Sequence, residues 1–306
     1  MKTLVTGGAG FIGSHIVDAL LEKGHDVAIV DSMITGQKDN INPDAKFFQL
    51  DIRSEELGDL LKQEKFDAVI HQAAQMDVRK SVEDPRFDAD TNIMGTINLL
   101  RACAESGVKR FQFASTGGAS YGEQSEFPAT EEHPQWPDSP YGITKLACER
   151  YINYFSQSYG MSYALLRYAN VYGPRQNPHG EAGVVAIFCK LLLADKQPII
   201  NGDGKQTRDF VYVSDVVQAN LRALEHNDNF YLNVGTGIET DINTIFHELN
   251  SGIGTQKLEK HAPAKTGEQV RSVLSFAKTK EILGWEPQVD LKTGINETIK
   301  FFQNKN

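Results

Sequence analysis

The chain has 306 residues, 40% of them hydrophobic, and a formal net charge of −9, so it can bury a large core in one domain or two. The acidic balance excludes a nucleic-acid binder, which requires a basic face. Small anionic ligands stay compatible, because helix dipoles and single arginines hold them locally.

From the N-terminus, short apolar runs alternate with amphipathic segments. Runs at 3–6, 26–31, 46–50, 67–71, 110–115 and 162–167 are rich in Val, Ile, Leu or Phe and predict buried strands. Between the first two, 11–23 reads as a helix that Gly24 stops. Helical periodicity returns after Ser139-Pro140 and runs to about residue 160. Strand–helix alternation of this kind gives an α/β fold, a Rossmann-type doubly wound parallel sheet with helices on both faces. Beyond about residue 170, Gly and Pro punctuate the chain at Gly173-Pro174, Asn177-Pro178, Gly202-Asp203-Gly204 and Gly235-Thr236-Gly237, with amphipathic helices at 215–226 and 291–302. We therefore expect a dinucleotide-binding domain over 1–170, with contributions from about 205–237. Residues 171–306 should form a smaller mixed α/β substrate-binding region over the carboxyl edge of the sheet, where ligands of open α/β sheets bind.

The longest apolar stretch, 184–194, is broken by Lys190 and too short to span a bilayer. No secretory h-region follows Met1-Lys2. Cys103, Cys148 and Cys189 lie far apart and read as reduced core thiols, without metal-ligand spacing or a disulfide framework. The expectation is a cytoplasmic protein with no metal and no membrane association.

Two motifs carry the chemistry. The first is the turn Thr6-Gly7-Gly8-Ala9-Gly10-Phe11-Ile12-Gly13, between a strand and a helix. Gly7 and Gly10 let the backbone turn tightly against a pyrophosphate, Gly13 lets the helix pack on the sheet, and free N–H groups at the helix start face the phosphates. The glycines fit two registers, one starting at Gly7 and one at Gly8. Asp31 ends the second strand about 20 residues beyond the turn, where a carboxylate accepts from the adenosine ribose hydroxyls. It would repel a 2′-phosphate, and the following Ser32-Met33-Ile34-Thr35-Gly36 offers no arginine to hold one; NAD is favoured over NADP. Asp51-Ile52 ends the third strand and is read as an adenine contact, with a turn or helix-cap role for Asp51 as the alternative.

The second motif is Tyr141 with Lys145, one helical turn apart on one face. A phenol has a pKa of about 10 and must fall by roughly three units, about 4 kcal/mol, to act as a base near neutrality. A nearby ammonium supplies several kcal/mol at an effective dielectric of about 20, and an oxidised nicotinamide adds a second positive charge. Thr116, at the end of the fifth strand, can bridge a substrate hydroxyl and the tyrosine oxygen; Ser115 competes for that role. Gly117-Gly118 leaves room beside it for a sugar.

At these residues the chain resembles the extended short-chain dehydrogenase/reductases and, more narrowly, the UDP-glucose 4-epimerases. The matching stretches run nearly end to end: 6–13, Asp31, Asp51-Ile52, His71-Gln72-Ala73-Ala74, Thr91-Asn92, 115–122, 141–145, 166–175, 183–188, 202–215 and Leu283-Gly284-Trp285. The resemblance implies a bound NAD and a UDP-sugar substrate inverted at C4 through a transient 4-keto sugar. Tyr141 is then the base, Thr116 its relay, and Lys145 also holds the nicotinamide ribose. It adds Gln72, Ala73, Ala74, Asn92 and Ala169 to the cofactor site. At the UDP end it points to Asn170, Gly183-Val184, Arg208, Lys265, Glu268 and Arg271, with Arg208 on the diphosphate. Counting back from Lys278 and Leu283-Gly284-Trp285 places Ser272 where a gate decides whether N-acetylated sugars enter. A homodimer through helices at roughly 88–106 and 141–159 is also implied.

Asn201 and Val270 depart from the family pattern, which has an aromatic or apolar residue and often an arginine at those places. Related dehydratases follow the threonine with an Asp-Glu pair, where this chain has Gly117-Gly118. UDP-glucuronate epimerases place an arginine near Asn177. A non-catalytic NAD-binding protein would be expected to lose Tyr141 or Lys145, and both are present.

Overall fold

The computed structural model describes residues 1–178, 183–264 and 269–305. The six anticipated strands are β1 (Lys2–Thr6), β2 (Asp26–Asp31), β3 (Lys46–Gln49), β4 (Ala68–His71), β5 (Arg110–Thr116) and β6 (Ser162–Tyr168). Each lies within a residue or so of its anticipated bounds. They are followed by β7 (Asn170–Tyr172), β8 (Ile200–Asn201), β9 (Thr207–Tyr212), β10 (Phe230–Val234), β11 (Glu239–Asp241) and β12 (His261–Ala262). Seven of them form one parallel sheet in the order β10-β6-β5-β4-β1-β2-β3. The chain reverses direction across the sheet between β1 and β4, and in this doubly wound order the crevice at that reversal is where a dinucleotide lies.

The helices in chain order are α1 (Phe11–Glu22), α2 (Glu56–Glu64), α3 (Val78–Glu83), α4 (Pro85–Ala89), α5 (Gly95–Ser106), α6 (Gly117–Tyr121), α7 (Pro140–Tyr159), α8 (Val184–Leu193), α9 (Val213–Leu224), α10 (Ile242–Ile253), α11 (Ala277–Leu283) and α12 (Leu291–Asn304). Central strands are apolar on both sides because both faces are covered. Leu57, Leu99 and Ile152 of α2, α5 and α7 close one face over Phe111. Ile16, Leu20, Val217 and Leu221 of α1 and α9 close the other over Ile29. A separate cluster of α8, α10 and α12 packs against Phe210 of β9, beside a three-stranded sheet ordered β11-β9-β7. Among the described residues no helix is long and apolar enough to cross a membrane.

The anticipated helix over 88–106 is continuous but carries one widened turn: α4 leads through a π-type stretch, Asp90–Met94, into α5, with helical backbone at both junctions. Pro85 starts α4 under an Asp84 cap that accepts from Phe87 N–H at 2.9 Å. The wide stretch carries Asn92, whose Oδ1 takes the Gln75 N–H at 2.8 Å and whose Nδ2 gives to the Gln75 carbonyl at 2.9 Å. A widened turn at such a place is common at functional sites.

Under α7 lies a buried ion pair. Arg167 of β6 meets Glu149 of α7 at 2.7 and 3.0 Å, with side chains 3% and 2% exposed. Ser115 Oγ donates to the same carboxylate at 2.6 Å and Arg167 to Tyr121 Oη at 3.0 Å. The pair fastens α7 to β5 and β6. Glu149→Gln leaves a guanidinium buried without its counter-charge, so urea unfolding should show a loss of about 3 kcal/mol; a variant as stable as wild type would mean that α7 is held by apolar packing alone.

Candidate functional site

The glycine turn follows β1 at the reversal of strand order. Gly7 adopts φ +71°, and a Cβ there would lie 2.7 Å from Ala73 N. A Cβ on Gly13 would fall 2.2 Å from the Gly7 carbonyl oxygen. Gly8 instead faces the core residue Ile29. Of the two registers, the one beginning at Gly7 therefore carries the left-handed turn. Gly10 is the N-cap of α1; no side chain caps the helix and no acidic residue stands in its first turn. The N–H groups that Phe11, Ile12 and Gly13 bring to the start of the helix suit an anion. Glycines that a Cβ would fill, beside an uncapped helix start, fit a dinucleotide pyrophosphate.

Asp31 is buried at the end of β2. It accepts from Ala9 N–H at 3.0 Å and Met33 N–H at 2.9 Å. Burial pushes its carboxyl above the ordinary range, against those two donors. The loop through Ser32, Thr35 and Gly36 folds back over it, and a Cβ on Gly36 would touch Asp31 Oδ1 at 2.7 Å. Asp51 is gripped by Arg53, with Oδ1 accepting from its N–H at 2.9 Å and Oδ2 from Nη2 at 2.7 Å. That bond holds its carboxyl below the ordinary range. Ile52 is buried against Gly95.

Ala73 and Ala74 lie on the loop after β4, and Ala73 brings its backbone against Gly7 of the glycine turn. The Gln72 side chain turns away, to Tyr168 Oη at 3.1 Å. Asn92 braces the loop after β4 through Gln75, and Ala169 joins β6 to β7 with its N–H on the Val234 carbonyl at 2.9 Å. His71, quoted in the sequence only as part of a matching stretch, proves to be a buried bridge. Its Nδ1 lies 2.7 Å from Thr6 Oγ1 and its Nε2 3.0 Å from Thr96 Oγ1. Burial lowers its pKa to about 3, so the ring is neutral.

Ser139 caps α7, accepting from Gly142 N–H at 3.1 Å, and Pro140 starts the helix. This sets Tyr141 in the first turn and Lys145 one turn on. Lys145 Nζ stands 5.9 Å from the Tyr141 ring centroid, 4.6 Å over the Phe113 ring, and donates to the Ala114 carbonyl at 2.8 Å. Burial lowers its pKa to about 8, opposed by Cys148, Asp88 and Glu149. Thr116 ends β5 and caps α6, its Oγ1 accepting from Ala119 N–H at 3.3 Å. Its neighbour Ser115 is committed to Glu149 on the opposite side of the strand. That leaves Thr116 as the hydroxyl on the side of the crevice.

On the substrate side, Asn170 is exposed at the start of β7, and Gly183-Val184 opens α8 beside Gln176. Arg208 on β9 donates to the Thr207 carbonyl at 2.8 Å. Arg271 pairs with Glu239 at 2.5 and 3.0 Å and stacks 3.6 Å over Phe127. Ser272 is buried, and a Cβ on Gly118 would come within 3.3 Å of its Oγ. The gate candidate and the Thr116 loop are therefore adjacent. Lys265 and Glu268 lie outside the described residues.

Residues 3–235 match the model of the NAD dependent epimerase/dehydratase family, and the chain belongs to that family. A relative from Methanocaldococcus jannaschii is 49% identical over 303 residues, 99% of each chain. Among solved structures, a UDP-glucose 4-epimerase of Thermotoga maritima with UDP-glucose is 46% identical, with a TM-score of 0.98 over 100% of this chain and 99% of that one. A UDP-glucose 4-epimerase of Thermus thermophilus in complex with NAD is 43% identical, with a TM-score of 0.94 over 100% of both chains.

The depressed Lys145 value sets a pH signature. Below pH 8 folded and unfolded chains both hold its proton, and the full cost of burying the ammonium is present. Between about 8 and the ordinary 10.5 the unfolded chain holds more protons, so stability rises with pH. Relative to Lys145→Met, wild type should gain about 3 kcal/mol of unfolding free energy across that window, read by urea unfolding at each pH. A constant difference would contradict a buried ammonium.

Proposed function

We propose that the protein interconverts UDP-glucose and UDP-galactose by inverting C4, with NAD held throughout. What supports this is that Lys145, one turn after Tyr141, meets the Ala114 carbonyl two residues before Thr116, at the carboxyl edge of the sheet that also presents the glycine turn. When bound, NAD accepts the C4 hydride and returns it, so no net redox change results. The chain does the rest. Gly7, Gly10 and Gly13 give the pyrophosphate its space, with Phe11 and Ile12 at the helix start. Asp31 receives the adenosine ribose, aided by the Ser32–Gly36 loop, and the Asp51-Ile52 corner borders the adenine. Gln72, Ala73, Ala74, Asn92 and Ala169 wall the nicotinamide side.

Tyr141 removes the proton from the C4 hydroxyl, with Thr116 holding that hydroxyl in line. Lys145 keeps the phenolate favourable through its charge. The 4-keto sugar turns about its link to the diphosphate, presents its other face, and takes the proton back from Tyr141. Arg208 meets the diphosphate as a fork, while Asn170, Gly183-Val184, Lys265, Glu268 and Arg271 hold the nucleotide end. For that, Arg271 must loosen from Glu239. Gly117 supports epimerisation over dehydration, since even a Cβ there would lie 2.4 Å from Leu274.

The same reading has residues 1–170 plus about 205–237 carry NAD and 171–306 mostly the sugar nucleotide. It also has two copies pair through the helices at roughly 88–106 and 141–159, the second of which exposes Ile143, Tyr151 and Tyr154. Galactose metabolism in the cytoplasm is the setting it suits.

The purified protein should contain NAD and convert UDP-galactose to UDP-glucose without added cofactor. Tyr141→Phe should keep both ligands and lose at least about 10²-fold in turnover, the lower end for a general base. Near-normal turnover in that variant, or net reduction of added NAD, would sink the reading.

Ser272 is small where bulk would exclude a 2-N-acetyl group, and it neighbours Gly118. UDP-N-acetylglucosamine and UDP-N-acetylgalactosamine should therefore also be interconverted. Ser272→Tyr should suppress that activity and largely keep UDP-galactose turnover. If wild type ignores the N-acetyl sugars, or the variant treats both classes alike, Ser272 is not the gate.

A further inference from the structure

Asp88 on α4 is fully buried, and nothing in the reading above uses it. Its Oδ1 accepts from Gln75 Nε2 at 2.8 Å and Asn92 Nδ2 at 3.1 Å, and its Oδ2 from Thr144 Oγ1 at 2.8 Å. All three partners are neutral donors, and among the described residues no cation touches it. A buried carboxylate without a paired cation is costly, so what it joins is informative. Gln75 stands on the loop just after Ala73-Ala74. Asn92 sits in the wide stretch between α4 and α5 and grips Gln75 a second time through its backbone. Thr144 is on α7, between Tyr141 and Lys145. One carboxylate thus ties the catalytic turn to the wall of the cofactor crevice.

Its charge matters as well as its bonds. Cys148, Asp88 and Glu149, in that order, oppose the burial penalty on the Lys145 ammonium. Glu149, on the same helix, is already neutralised by Arg167 at 2.7 Å. Burial pushes the Cys148 thiol up, so it stays protonated. From β4, His71 is held neutral, and β5 brings the Ala114 carbonyl and the Phe113 ring to Lys145, both uncharged. On α3, Arg79 pairs with Asp77 and Lys80 lies over the Phe87 ring, so neither cancels Asp88. We propose that Asp88 is a positioning residue for the reaction: it locks the Tyr141–Lys145 turn to the cofactor-side loop and is the buried anion that Lys145 faces. This rests on the roles given to Tyr141 and Lys145 above.

Asp88→Asn separates charge from shape. The amide oxygen still accepts from Gln75 and Asn92. The new NH₂ donates to Thr144 Oγ1, whose hydrogen turns to the Tyr141 carbonyl, 2.9 Å away. Only the charge is lost. Removing a nearby anion makes both Tyr141 and Lys145 release their protons more readily. Both limbs of the kcat/KM pH profile for UDP-galactose should therefore move to lower pH, by about one unit at an effective dielectric of about 20. Limbs that stay in place, in a variant with wild-type NAD content and melting temperature, overturn the charge role. Thr144→Val cuts the link to α7 and keeps the charge, so it tests the positioning role by itself, whether or not Asp88→Asn folds. It should lower kcat about tenfold with limbs and KM unmoved, whereas an unchanged kcat overturns the positioning role. A Tyr141→Phe variant with near-normal turnover would instead remove the reading on which both rest.

Discussion

Lys145 donates to a main-chain carbonyl, lies over an aromatic ring and is 3% exposed. Keeping an ammonium there constrains everything packed around it, because the low dielectric that strengthens its field also makes its charge expensive. The surroundings answer in kind. His71 is pinned between two threonines as a neutral ring. Glu149 is cancelled by Arg167, and Asp88 is met by the neutral donors Gln75, Asn92 and Thr144. The alternation of β5 points Ser115 into that charged interior and leaves Thr116 for the crevice.

The second constraint is close backbone approach. Where the order of strands reverses, the glycine turn, the loop after β4 and the start of α1 converge, and Gly7 and Gly13 leave no room for a methyl group. The same economy recurs where the C-terminal region meets the segment that follows β5. Gly117 abuts Leu274 and Gly118 approaches Ser272. Asp209 collects the N–H groups of Thr236, Gly237 and Leu274 from two chain segments. The gate candidate is thus seated on the loop that carries Thr116.

The sheet and the positions of the motifs are legible in the order of amino acids alone. Buried parallel strands must be apolar on both sides, and a glycine turn between strand and helix demands its residues locally, so both signals are written in contiguous stretches. Tyr141 and Lys145 were legible for the same reason, since helical spacing alone sets them on one face. The choice between the two glycine registers, and between Ser115 and Thr116, required the fold: one depends on which glycine meets Ala73, the other on which face of β5 looks into the core. The widened turn at Asp90–Met94 was not legible, since the bonds Asn92 makes there go to Gln75 on the loop after β4, which helical periodicity does not report. Asp88 looks in sequence like the acidic residues near it at 84 and 90. Only tertiary structure removes it from water and surrounds it with Gln75, Asn92 and Thr144. Periodicity and turn chemistry are local, and a sequence shows them. Burial of a charge is a property of what packs around it, and only the folded chain decides that.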